Sequence, residues 1–72
     1  MLYRVKLGTI TNAQRARSVL KQRGVKSNIV RIQNPNKSDG CGYALKINTD
    51  NIDEIVSIIR EEGIHLTGVE TV

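Results

Sequence analysis

The order in which hydrophobic periods change along this chain limits its fold more than any other feature. Residues 2–7 alternate, with Tyr3, Val5 and Leu7 on one side and Leu2, Arg4 and Lys6 on the other. That is the two-residue period of a half-buried strand. Ala13, Ala16, Val19 and Leu20 then recur at helical spacing. Thr11-Asn12-Ala13-Gln14 reads as a capping box, Lys21 and Arg23 suit the negative end of a helix dipole, and Gly24 suits the residue just past a helix. These signals bound a first helix of about 12–23.

Residues 27–33 read as a second strand with Val30 and Ile32 on one face, followed by a turn-forming stretch without apolar residues at 34–40. Tyr43, Leu45 and Ile47 alternate with Ala44 and Lys46 to give a third strand. Asp50 is placed to cap a second helix of about 51–62, along which Ile52, Ile55, Val56 and Ile59 form an apolar stripe. Gly63 closes that helix, and the β-branched run from Ile64 to Val72 is the last strand, with Gly68 marking a bulge.

Strand-helix-strand-strand-helix-strand within 72 residues is the split βαβ pattern. The expectation is one ferredoxin-like α+β domain over residues 1–72. Its antiparallel sheet has the order 4-1-3-2, and both helices lie on one face. The other face would carry Leu2, Arg4, Lys46 and either Arg31 or Ile29. Such a face, part apolar and part basic, suits either a homodimer contact or an anion.

Composition narrows the function classes. A chain this short buries only about 60% of its unfolded surface, so self-association would be a common remedy. One cysteine and one histidine leave no disulfide framework and no metal cage, and no metal or other cofactor is expected. The single thiol fits a reducing compartment. The N-terminus, with charges at Arg4 and Lys6, lacks the apolar core of a signal peptide, and no apolar run reaches the roughly 18 residues of a membrane span. A cytoplasmic protein is the expectation. The net charge of +4 suits an anionic partner, but it equally reads as a merely solvated surface, which outweighs nucleic-acid binding. With two Tyr and no Phe or Trp, however, a stacking platform for single-stranded RNA is missing, and nucleic acid ranks last among partners.

The one sharp chemical feature is Gly40-Cys41-Gly42. In the order 4-1-3-2 the start of the third strand pairs with the end of the first, which would bring Cys41 beside Gly8-Thr9-Ile10-Thr11. Helix-start N–H groups around Thr11 and Ala13 carry partial positive charge and lower a thiol pKa, with Lys37 adding a cation and Asp39 opposing it. The flanking glycines leave a sulfur sterically open. Two readings stand side by side here: a reactive thiol, or a small inert hydrophobe with Gly40 and Gly42 serving only a hairpin. His65, two strand spacings away at about 9–10 Å, is too far for a Cys–His nucleophile pair. Gly8 and Thr9 before a helix also suit a small anion. A carrier or binding module is expected rather than an enzyme.

Several short motifs resemble a small bacterial family, the putative selenium/sulfur carrier protein-like family. They are Thr11 with Ala13, Leu20-Lys21 with Gly24, Ser38 with Cys41-Gly42-Tyr43-Ala44-Leu45, Glu61 to Ile64, and Gly68-Val69. The resemblance spans nearly the whole chain. One departure is Asn34-Pro35-Asn36-Lys37, where that family tends to carry Pro-Arg. The resemblance implies that Cys41 accepts sulfur or selenium as a persulfide or perselenide and passes it between donor and acceptor proteins. The alternative is a small-molecule-binding or regulatory module without thiol chemistry.

Overall fold

The computed structural model describes residues 1–32 and 42–72. Its elements follow in the expected order: β1 (Leu2–Lys6), α1 (Ile10–Gln22), β2 (Asn28–Ile32), β3 (Gly42–Asn48), α2 (Ile52–Glu61) and β4 (Gly68–Thr71). The four strands form one antiparallel sheet of order β2-β3-β1-β4, the expected 4-1-3-2 read from the other edge. The chain is therefore a ferredoxin-like α+β fold.

Register decides which residues face the helices. Val5 pairs with Leu45 on one side and Val69 on the other, and Leu45 pairs with Ile29. Paired residues share a face, so this row and its odd-numbered neighbours point toward α1 and α2. Val5, Leu7, Leu45 and Ile47 join Ala13, Ala16 and Leu20 of α1 and Ile55, Ile58 and Ile59 of α2 in one apolar cluster. Alanines at 13 and 16 let α1 lie close to the sheet. Ile52 and Val56 of the expected α2 stripe are only half-buried, and Ile58 takes the inner position.

The open face corrects one expectation. Arg31 pairs with Tyr43 and Ile29 with Leu45, so both belong to the helix side; Asn28, Val30 and Ile32 occupy the open face instead. Both tyrosines, Tyr3 and Tyr43, also fall on the helix side, paired to Ile47 and Arg31. The open face thus has no aromatic residue. Its charges are Arg4, Lys6, Lys46 and Glu70, and Glu70 pairs with Arg4 at 2.7 Å and with Lys6 at 3.8 Å.

Helix boundaries shift by one or two residues from expectation. α1 begins at Ile10 with Thr9 as its cap, and α2 begins at Ile52 with Asn51, not Asp50, as its cap: Asn51 Oδ1 accepts from the Glu54 N–H at 3.2 Å. Both helices close the same way. Val25 N–H donates to Leu20 O and Gly24 N–H to Lys21 O; Ile64 N–H donates to Ile59 O and Gly63 N–H to Arg60 O. Each is a Schellman closure with glycine at C′. β4 is shorter than expected: Ile64 is buried against the core, but the sheet takes the chain only from Gly68, which pairs regularly with Lys6 and forms no bulge. His65 lies exposed in the connection before β4 and does not begin the strand.

Candidate functional site

The site expected from sequence lies where β1 hands over to α1. Gly8 adopts φ +82°, a left-handed angle that a side chain resists, and Thr9 N–H donates to Leu7 O at 3.0 Å across it. The turn leaves Thr9 extended, at φ −108° and ψ 155°, which is the conformation an N-cap requires. Its Oγ1 accepts from Asn12 N–H at 3.1 Å, and its carbonyl accepts from Ala13 N–H at 3.0 Å.

These bonds correct the capping-box expectation. Thr11 sits inside the first turn with its side chain exposed, and Asn12 takes the role assigned to Gln14. The Asn12 amide reaches back to Leu7 O at 3.4 Å, which ties the helix start to the end of β1. Ala13 is likewise not an available donor, because its N–H is used within the helix. The N–H groups of Ile10 and Thr11 have no acceptor among the described residues. They carry the partial positive charge of the helix start.

β3 begins against this turn. Leu7 N–H donates to Tyr43 O at 2.9 Å, and Tyr43 N–H donates to Gly8 O at 3.3 Å. Gly42 is close enough to Gly8 that a Cβ there would stand 3.6 Å from Gly8 O and 3.8 Å from Gly8 Cα. Four of the expected site residues are therefore brought together: Gly8, Thr9, Thr11 and Gly42. Cys41, Lys37 and Gly40 lie outside the described residues, as does Asp39. Among the described residues, no group of three or more His, Cys, Asp or Glu side chains comes together to hold a metal ion, and no helix is long and apolar enough to cross a membrane.

With this geometry in view, the family comparison is decisive. A family described as "Putative Se/S carrier protein-like" matches residues 3–70, nearly the whole chain. The chain belongs to this family. No protein of curated function matches it.

One feature escaped the sequence reading. The side of α1 that borders β2 carries a strip of polar and basic residues, Gln14, Arg17, Ser18 and Lys21, next to Ile29. Each of these charges reads on its own as a solvated helix face. The signal that could have found the strip is the absence of any Asp or Glu before Asp39.

Proposed function

We propose that this protein carries sulfur or selenium on the thiol of Cys41 and passes it to a partner protein. The observation that carries the reading is the contact between Gly42 and Gly8 at the start of α1. One peptide link joins Cys41 to Gly42, and consecutive Cα atoms are about 3.8 Å apart. The N–H groups of Ile10 and Thr11, without an acceptor among the described residues, supply the positive potential that favours a thiolate or a persulfide anion. Membership of the Se/S carrier-like family supports the same reading.

The chemistry balances without an added oxidant. The Cys41 thiolate attacks the outer sulfur of a donor persulfide. The donor's S–S bond breaks and the donor leaves as a thiolate, while a new S–S bond forms on Cys41. An acceptor nucleophile then takes the outer sulfur and returns Cys41 to the thiolate. Selenium would follow the same path as a perselenide.

The test is intact-mass analysis after incubation with a sulfane-sulfur donor. Wild type should gain about 32 Da per added sulfur, and a thiol reductant should remove the gain. A sulfinic acid adds nearly the same mass but survives the reductant, which separates oxidation from loading. Cys41→Ser should gain nothing. Alkylation of Cys41 at neutral pH should also be faster than that of an ordinary thiol of pKa about 8.5. Ordinary alkylation together with no reducible adduct would overturn the carrier reading. The N–H groups at the start of α1 would then favour the second reading, a module that binds a small anion at Gly8–Thr11 and is unaffected by Cys41→Ser.

A further inference from the structure

Charge is split along this chain. Residues 1–38 contain nine Lys and Arg and no Asp or Glu; residues 39–72 contain all seven acids and two of the cations. The halves therefore carry +9 and −5, which together give the overall +4. The fold concentrates part of the positive half in one concave place. A groove of about 400 Å³ lies between the end of α1 and the start of β2, lined by Arg17, Lys21, Lys26, Ser27 and Asn28 with Gly24 and Val25. A second depression of about 260 Å³ shares Arg17 and Lys21 and extends up α1 past Gln14 and Ser18.

We propose that this α1–β2 groove is a binding site for a small phosphate-bearing ligand. Gln14, Arg17, Ser18 and Lys21 follow the i, i+3, i+4, i+7 spacing of one helix stripe, so the cations Arg17 and Lys21 stand one turn apart on the same side. Lys26, in the segment leading into β2, lines the same groove. Among the described residues, the side chains that offer polar groups there are three cations, hydroxyls and amides, and none is a carboxylate. At the end of α1, Leu20 O accepts from Arg23 N–H and Val25 N–H, and Lys21 O from Gly24 N–H; this end is the negative pole of the helix dipole, which Arg17, Lys21 and Lys26 must outweigh to hold an anion.

A second observation comes from Ser27. Its Oγ is buried and has no hydrogen-bond partner, although the residue lines the groove. A buried hydroxyl without a partner is costly. Arg17 supplies the planar fork that matches a phosphate edge, and Lys21 and Lys26 supply point charges. The volume is within the usual range for small-molecule sites. The groove has no aromatic lining, so nothing there would stack a nucleobase, and this favours a small ligand over a nucleic-acid strand.

The site is separate from the proposed thiol chemistry. Gly42 pairs with Ile32 at one end of β2, while the groove lies at Asn28, at the other end of the strand. Amide chemical shifts of the full chain, followed during titration with inorganic phosphate and with pyrophosphate at constant ionic strength, test the proposal. Saturable shifts confined to residues 14–29, with an affinity in the millimolar range or tighter, are expected. Arg17→Gln and Lys26→Gln alter exposed side chains and should each weaken binding about tenfold, the loss of one charged hydrogen bond. Lys46→Gln, on the open sheet face, and Cys41→Ser should leave binding unchanged. Linear, unsaturated shifts at every cation would overturn the site. So would equal losses in Arg17→Gln and Lys46→Gln. A single-stranded RNA oligonucleotide provides the last arm: if it binds with shifts that spread to Arg4, Lys6 and Lys46 while both phosphates fail, the small-ligand site is wrong.

Discussion

Adding one methyl group should destabilise the fold at Gly8 but not at Gly42, although the two residues touch. Gly8 has φ +82°, and its Cβ would find only Thr67 Cγ2 at 3.8 Å, an ordinary contact. The cost of Gly8→Ala is therefore conformational rather than steric, about 1–2 kcal/mol for an L-residue held in the left-handed region. Gly42 has no positive φ. Its Cβ would meet Gly8 O at 3.6 Å and Gly8 Cα at 3.8 Å, again ordinary contacts. Alanine there restricts the unfolded chain without straining the folded one, so Gly42→Ala should range from neutral to about 1 kcal/mol more stable. For a domain of this size each kcal/mol moves Tm by about 4–8 °C. Urea titrations followed by far-UV circular dichroism should show the Gly8→Ala midpoint below wild type and the Gly42→Ala midpoint at or above it, with similar slopes. A Gly8→Ala midpoint equal to wild type would refute the strain argument, and a Gly42→Ala loss as large as that of Gly8→Ala would refute the packing argument. If Gly42→Ala keeps its stability but alkylates more slowly at Cys41, the glycine serves the thiol and not the fold.

Two further outcomes test the architecture. Thr9→Ala should cost about 1 kcal/mol by removing the bond to Asn12 N–H, while Thr11→Ala should stay within about 0.5 kcal/mol of wild type; thermal melts of both variants check the cap assignment. Ile59 is fully buried between the helices and the sheet, so Ile59→Ala should lose about 2–5 kcal/mol, enough to leave a small domain largely unfolded at 37 °C by circular dichroism.

The fold was legible because the sequence changes period at each element. Alternation around Val5 and Leu45, helical spacing through Ala16 and Ile59, and glycines at 24 and 63 all point to one topology. What the sequence obscured was decided by tertiary contacts. Thr9-x-x-Asn12 and Thr11-x-x-Gln14 are rival caps two residues apart, and the favoured Gln lost because the Gly8 turn, held by its bond to Tyr43, leaves Thr9 as the extended residue. Asp50 and Asn51 differ by one position, and only Asn51 reaches Glu54 N–H. Ile64 and Leu66 looked like strand because they pack on the core, but β1 ends at Lys6, and only Thr67 N–H bonds there before β4 begins. In β2, alternation alone could not say whether Ile29 or Val30 faces inward; pairing with Leu45 chose Ile29. Of the candidate site, the meeting of Gly8 with Gly42 followed from strand order, whereas the α1–β2 groove needs coordinates, because its cations come from a helix and from the segment after it.

The separation of charge has a consequence for encounter kinetics. α1 carries Arg15, Arg17 and Lys21 with no acid, while α2 carries Asp53, Glu54 and Glu61 against a single Arg60, and the two helices pack side by side. Such a molecule has a permanent electric moment across its helical layer. A charged body approaching from solution would exert a torque on it and turn it before contact, with α1 leading toward anions and α2 toward cations. At physiological ionic strength this steering acts only within a Debye length of about 8 Å, so association rates with charged partners should rise as salt is lowered.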